Sequence, residues 1–542
     1  MLEGLMQNDY QLTLKHVLDR MRGPCADAEV VTLRDDGVTR TSYREVAARV
    51  DRLCKGLEKL GVRQGDRVAT FMWNSQEHLE LYMTPCMGIV LHMLNIRLFP
   101  EQLTYIANHA QDKVIFVDDS LVPLLEKVAP TFETVEHYVI IGDGSGGSLP
   151  NALRYEDLLA EHEEGYDYPE LDERTAAGLC YTSGTTGNPK GVLYSHRSNM
   201  LHCLGTGLAD STGVTASDRI LPVVPMFHVN AWGLPYACAM VGADLVMPGR
   251  FLQGEPLAKL IESERVTIAG AVPTIWMDLL RYADEHNPDL SSLRMVVCGG
   301  AAVPESLMRA FEERHGVKIM QGWGMTETSP LAAVARPPDE AEGAEHWHYR
   351  SATGRILPLV DVRIMGDEGE VPWDGESTGE IEVRGPWIAS DYYEDPSGAD
   401  KFHDGWLRTG DIASIDSKGF LRITDRAKDL IKSGGEWISS VELENALMSH
   451  PDVMEAAVIA KPDERWTERP LACIVCREGT RPTAEELRAH LEPLVAKWWL
   501  PDEFAFIEAV PKTSVGKFDK KVLRSQLAEG QLATAPAEAA GP

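Results

Sequence analysis

The sequence predicts an α/β protein of more than one domain, on three observations. Helical stretches and short β-branched runs alternate along most of the chain, which is the pattern of layered, largely parallel sheets. At 542 residues the chain is too long for one compact core. Beyond Asp425, roughly one hundred residues carry strands and a helix of their own, enough for a small α+β domain.

The elements follow in order. "SYREVAARVDRLCKGLEKLG" predicts a helix: Ser42 and Glu45 form a capping box, and Val46, Val50, Leu53, Leu57 and Leu60 recur at helical spacing before Gly61 stops it. The runs "RVATFM", "KVIFVDD", "HYVIIGD", "RVTIAGAV" and "LRMVVCGG" predict strands. The large domain spans 1–425 and the small one 426–526. The small domain holds strands "MEAAVIA", "LACIVC" and "EFAFIEAV" and a helix over "TAEELRAHLEPLVAKWW". Residues 527–542, "LAEGQLATAPAEAAGP", are Ala/Pro/Gly-rich and are expected to be disordered. "RPPDEAEGAEHWH" (336–348) reads as an acidic surface loop whose His346 and His348 lack a third metal ligand.

Composition excludes several functions. The formal charge of −31 repels a phosphate backbone, so no nucleic acid is expected. A small anionic substrate would need locally placed cations or backbone N–H groups. The nine cysteines are scattered and no secretory leader opens "MLEGLMQNDY", which suits reduced thiols in cytoplasm. Cys473 and Cys476 form a CxxC inside a strand-like run with no second pair, as buried free thiols do. The most apolar stretch, "LYMTPCMGIVLHMLNI", contains Pro85, His92 and Asn95 and falls short of the ~20 apolar residues of a membrane span.

Two glycine-rich loops compete as phosphate sites. "GDGSGGS" (142–148) fits GxGxxG, but Ser148, Leu149 and Pro150 stand where a helix should begin, so it reads as a surface loop. "LCYTSGTTGNPKGVLYSH" runs strand, Ser/Thr/Gly loop, lysine, apolar run. Its glycines let backbone N–H groups converge on anionic oxygens, and its hydroxyls add donors or a metal ligand. A Walker A loop ends in Gly-Lys-Ser/Thr and opens a helix. Here Asn188-Pro189-Lys190-Gly191 gives an extended exit instead.

That loop is the first of several motifs by which the chain resembles the adenylate-forming acyl-CoA synthetases, with their luciferase and peptide-synthetase adenylation relatives. In the same order follow "PMFHVNAWG", "GGAAVP", "QGWGMTETSP", "GWLRTGDI", "DRAKDLIKSGGEWIS" and "PKTSVGKFDKK". The resemblance covers nearly the whole chain and is nearest to the medium- and long-chain fatty acyl-CoA synthetase branch. It implies a large N-terminal domain of layered sheets and helices with a distorted barrel, and a small mobile C-terminal domain. It also implies ATP, Mg²⁺ and coenzyme A: a carboxylic acid is converted to acyl-AMP and pyrophosphate, and the CoA thiol then displaces AMP. A loop that holds a departing pyrophosphate has no hydrolytic water to position, which fits the missing Walker pattern.

By the same resemblance, Thr182 and Glu327 would hold Mg²⁺; Ser183, Gly184, Thr185, Thr186, Gly187 and Lys190 would meet the phosphates, and Thr326 would be a further ATP/AMP contact. Gly300, Ala301, Gln321, Gly322 and Trp323 would line the adenine pocket, with Trp323 in place of the usual Tyr or Phe. Asp411 would take the ribose hydroxyls, assisted by Arg426. His228, Val229 and Trp232 would border the acyl tunnel, Trp232 as its gate and His228 beside the carboxylate. Lys517 would be the adenylation lysine and Lys428 the hinge. Lys432, Gly434, Gly435 and Trp437 would form the CoA-side face. The resemblance implies a medium- or long-chain fatty acid as the acid activated; a short thioether acid (methylmercaptopropionate-like) or an aryl acid is the alternative, and a carrier-loading adenylation module a further one. Peripheral membrane contact and a homodimer are further implications of that branch.

Overall fold

The computed structural model describes every residue except 1, 3, 8, 183–187, 434, 435, 514–516 and 538–542. Three sheets organise the chain. The first has seven strands, in the order Ala152–Arg154, His137–Ile141, Asp112–Asp118, Arg67–Phe71, Val90–Met93, Ala176–Tyr181 and Gly191–Ser195. All neighbours are parallel except the last pair. The predicted helix forms over Tyr43–Lys59, with the Ser42 hydroxyl accepting from Glu45 N–H at 3.2 Å. Its Val46, Val50, Leu53 and Leu57 are buried, so the apolar stripe read from the sequence is the face that packs.

The second sheet has fifteen strands. Asp244–Met247, Arg219–Pro222, Ile268–Ala271, Met295–Gly299 and Ile319–Gly324 form its parallel centre. At Gly324 the chain turns back, and Leu331–Val334, Gly354–Ile356, Phe420–Arg426, Trp406–Ile415, Gly379–Arg384 and Asp361–Gly366 continue it antiparallel. The expected barrel is not closed. A barrel must pair its first strand with its last, whereas this ladder ends at the two-residue strand Gly369–Glu370 on one side and at Gly37–Ser42 on the other.

The third sheet contains six strands from the C-terminal region, beginning at Ile431–Ser433. Only residues 427–430 separate it from Phe420–Arg426 of the large sheet. Three expectations are corrected here and nearby. The helix over "TAEELRAHLEPLVAKWW" stops at Leu491, because Pro493 cannot continue it; Lys497–Trp499 is a separate turn. Thr534–Pro536, expected to be disordered, pair antiparallel with Glu503–Phe506 and extend the sheet edge. Within the acidic segment 336–348 a helix begins at Gly343 and runs to Arg350. It is fixed by Arg350, which donates to Ile319 O at 2.9 Å and stands 5.2 Å from the Trp347 ring centroid.

The two cysteines of the CxxC lie in the strand Thr467–Cys476, and all nine cysteines are unpaired. The loop at 142–148 joins two strands, with no helix after it. No helix among the described residues is long and apolar enough to cross a membrane.

Candidate active site

Two paired strands flank the phosphate-type loop. Strands Ala176–Tyr181 and Gly191–Ser195 run antiparallel with Tyr181 opposite Gly191. Thr182 N–H donates to Lys190 O at 2.9 Å, and Lys190 N–H donates to the Thr182 hydroxyl at 3.0 Å. This closed neck explains the Asn-Pro exit: the chain leaves into a strand, so Pro189 sits where a Walker helix would need an N–H. Ser183, Gly184, Thr185, Thr186 and Gly187 lie outside the described residues. The Lys190 ammonium lies 4.9 Å from the Tyr392 ring centroid and 3.7 Å from an Asp395 carboxylate oxygen.

Beside the neck is a cleft of about 910 Å³. It is lined by Thr182, Lys190, His228, Val229, Trp232, Gly300, Ala301, Gln321, Gly322, Trp323, Thr326, Glu327, Asp411, Arg426, Lys428 and Lys517. Of the described candidates, only Lys432 and Trp437 stand outside it. Those two pair across a hairpin of the small sheet, with the ammonium 4.7 Å from the indole centroid, and Trp437 is exposed. Gly434 and Gly435 lie outside the described residues. The structure thus separates the lysine of "TSVGKF" from the face containing Lys432.

The wall of the cleft expected to meet a nucleotide comes from the ends of the parallel strands. Gly300, at φ +82°, turns the chain after Met295–Gly299 in a conformation an L side chain rarely adopts. Gln321 spends its amide on the scaffold: its Oε1 accepts from Val303 N–H at 2.8 Å and its Nε2 donates to Ala352 O at 3.0 Å. Trp323 has a role that stacking alone does not require. Its indole N–H donates to Asp411 Oδ2 at 3.0 Å, while Arg426 Nε stands 3.3 Å from Asp411 Oδ1. A Tyr or Phe has no donor at that place on the ring.

A prediction follows from this bond. Trp323→Phe keeps an aromatic face but releases a buried carboxylate from a hydrogen bond to a charged group, worth about 1.5–3 kcal/mol. Binding of AMP by calorimetry should therefore weaken about tenfold or more. Unchanged AMP affinity would reduce Trp323 to a packing residue.

His228 precedes a left-handed turn that contains Trp232. Val229, Asn230, Ala231 and Trp232 have φ of 46°, 53°, 46° and 58°, continued by Gly233 at 72°. Such a conformation costs roughly 1–2 kcal/mol per non-glycine residue. Buried Asn230 helps to hold it, donating to Asn199 Oδ1 at 3.4 Å and accepting from Cys180 Sγ at 3.8 Å. The indole of Trp232 lies across Gly270 and Gly299, where an added Cβ would come within 3.6 and 3.7 Å of the ring. The imidazole of His228 is held neutral, its pKa lowered to about 3 first by burial, then by the charges of Lys517 and Arg97. Arg97 was not legible as a site residue; only its charge at His228 reveals it.

Lys517 enters from the small domain. Thr513 N–H donates to Lys517 O at 2.7 Å and Lys517 N–H to the Thr513 hydroxyl at 3.2 Å, closing a turn flanked by the Lys512–Phe518 bridge. Its side chain reaches the large domain, with Cε in contact range of a Cβ at Gly300. Burial and then the Arg426 charge lower its pKa to about 8, with Asp411 and Glu327 opposing. A second group missed in the sequence ties the domains together. Asp425, on the strand Phe420–Arg426, accepts from Ser440 N–H at 2.7 Å, and the Ser440 hydroxyl also accepts from Lys520, which pairs with Glu444 at 2.7 Å.

The donor set fits a nucleotide with a magnesium ion. Among the described residues no group of three or more His, Cys, Asp or Glu is placed to hold a metal by itself. Glu327 offers one carboxylate to the cleft near the phosphate loop, which suits a cation that takes few protein ligands and completes its shell with phosphate and water. Lys517, Arg426, Asp411, Glu327 and a neutral His228 line one cleft, an arrangement that fits an adenylate-forming enzyme.

Comparison with known proteins agrees. The model of the AMP-binding enzyme family matches residues 19–393 and that of its C-terminal domain residues 442–517. The chain is 47% identical over 527 residues to the long-chain-fatty-acid–CoA ligase of Thermus thermophilus, covering 96% of each. It is 44% identical over 536 residues to the 3-methylmercaptopropionyl-CoA ligase of Ruegeria pomeroyi, covering 96% of this chain and 98% of that protein. A solved anthranilate CoA ligase in complex with anthranoyl-AMP superposes with a TM-score of 0.87 at 27% identity, over 97% of this chain and all of the other. The chain belongs to the AMP-binding enzyme family.

Proposed function

We propose that the protein is an ATP-dependent acid:CoA ligase that activates a medium- or long-chain fatty acid through acyl-AMP. The observation that carries this reading is the convergence of Lys517, Glu327, Asp411 and His228 in one cleft, although they come from two domains. In the first half-reaction a carboxylate oxygen attacks the α-phosphorus of ATP and pyrophosphate leaves. Lys517 offsets the charge of the two anions brought together, and neutral His228 donates to the acyl carboxylate. Asp411 accepts from the ribose hydroxyls, held for that task by Trp323. Thr182 and Glu327 would hold Mg²⁺, which supplies charge neutralisation at the departing pyrophosphate. In the second half-reaction the CoA sulfur attacks the acyl carbon and AMP leaves. Rotation about the Lys428 segment would withdraw Lys517 and present Lys432 and Trp437.

Val229, Leu234, Met277 and Val297 give the acyl end an apolar wall, which favours an alkyl chain: each buried CH₂ contributes about 0.8 kcal/mol. Pyrophosphate release with and without CoA, across a panel of acids, tests the reading. Acid-dependent pyrophosphate release with a CoA thioester as product is expected, the specificity constant rising with chain length. A maximum at methylmercaptopropionate would favour the short thioether acid activated by the 44% identical relative. Acid-dependent pyrophosphate release that yields no thioester when CoA is present would replace the ligase reading.

The strained turn before Gly233 supports the reading of Trp232 as a gate rather than a wall. Relaxing φ at Val229–Trp232 would swing the indole off Gly270 and Gly299. Trp232→Ala should therefore leave ATP binding intact and reduce the dependence of acyl-chain binding on ATP, measured with a non-hydrolysable analogue. A melting loss equivalent to about 3–5 kcal/mol with unaltered ATP coupling would make it a core residue.

A further inference from the structure

Glu327 is held twice by one short segment that no sequence motif assigned to the site. Ala389 N–H donates to the Glu327 carbonyl at 2.8 Å, and the Tyr392 hydroxyl donates to Glu327 Oε1 at 2.6 Å. Tyr392 is 7% exposed and also lines the cleft. The ring that orients the carboxylate is the same ring that carries the Lys190 ammonium at 4.9 Å. Two further contacts fix the segment itself. Tyr393 N–H donates to Gly191 O at 2.8 Å, just past the hairpin neck, and Asp395 lies 3.7 Å from Lys190.

We propose that Tyr392 is a positioning residue for the metal and phosphate end of the site, fixing Glu327 through its hydroxyl and Lys190 through its ring. The inference rests on the reading of Glu327 as a magnesium ligand. With Oε1 accepting from a phenol, the carboxylate cannot rotate freely, and Oε2 is the oxygen left to meet a cation. A partner of this kind behind a metal-binding carboxylate typically changes metal affinity by 10–100-fold when removed. The two functions sit on different atoms, so they separate by substitution. Tyr392→Phe deletes the hydroxyl and keeps the ring; Tyr392→Leu deletes both.

The test is binding, measured without turnover. Mn²⁺ affinity is read by electron paramagnetic resonance in the presence of a non-hydrolysable ATP analogue, and affinity for the analogue alone by calorimetry in EDTA. Tyr392→Phe should weaken Mn²⁺ about tenfold and leave metal-free nucleotide binding within twofold. Tyr392→Leu should weaken both. Added to Glu327→Gln, Tyr392→Phe should change Mn²⁺ affinity by less than twofold, because the carboxylate it orients is already gone. Unchanged Mn²⁺ binding in Tyr392→Phe, with a loss in Glu327→Gln, overturns the proposal and leaves Glu327 as ligand. Unchanged Mn²⁺ binding in Glu327→Gln itself overturns the metal reading beneath it. Equal losses in the single and double backgrounds would mean that Tyr392 acts independently of Glu327, which also overturns the proposal.

Discussion

Lys517→Ala is expected to lose acyl-AMP formation by about a hundred- to a thousandfold, the scale on which removal of one preorganised charge-stabilising donor is felt. The loss should fall on that half-reaction alone. Lys517 lies within the cleft in this orientation of the small domain, while Lys432 and Trp437 lie outside it. If the domain turns before thioester formation, Lys517 is absent from the second step. Thioester formation from supplied acyl-AMP should then survive within a few-fold. Hydroxamate trapping of the adenylate measures the first step and thiol consumption the second; equal losses in both would reject the rotation. The pH profile adds a signature. With a pKa of about 8, Lys517 is protonated below that value and neutral above it. The specificity constant for adenylation should therefore hold below pH 8 and fall above it, since it reports the free enzyme. Lys517→Arg, whose guanidinium keeps its proton, should lower the rate but remove this alkaline limb.

The parts of the site legible in sequence are those fixed by local chemistry. The Ser42 cap and the extended exit after Pro189 each follow from a few adjacent residues. The motif order brought Glu327, Asp411 and Lys517 forward, and the structure places all three in one cleft. Pairings across long separations were not legible. No periodicity says that the Trp323 indole meets Asp411, or that Tyr392 returns 65 residues to Glu327. The left-handed turn at Val229–Trp232 was not legible in the sequence, because Val and Trp favour β-structure and rarely adopt positive φ. There a buried asparagine and the packing of an indole on two glycines override local propensity. Residues 534–536 failed for the complementary reason: a composition that cannot build a core can still add backbone hydrogen bonds to an existing edge.

Glu327→Gln should show the second large effect, and its size follows from what the substitution keeps. The residue lies in the turn Thr326–Thr328 and is 5% exposed. Gln has nearly the same volume, and its Oε1 can still accept the Tyr392 hydroxyl, so the fold should melt within a few degrees of the parent. The negative charge is lost, and an NH₂ that cannot ligate a cation takes the place of Oε2. The Mg²⁺ concentration for half-maximal adenylation should rise about 10–100-fold, and the rate at saturating Mg²⁺ should fall about a hundredfold, equivalent to about 2.7 kcal/mol of transition-state stabilisation. A purely structural glutamate would give the opposite pattern. Its replacement would leave the Mg²⁺ titration and the rate at saturating Mg²⁺ where they were, because Gln keeps the acceptor for the Tyr392 hydroxyl. Titrating Mg²⁺ at fixed ATP, beside a melting curve of each protein, separates the two, and an unshifted titration would remove Glu327 from the metal site.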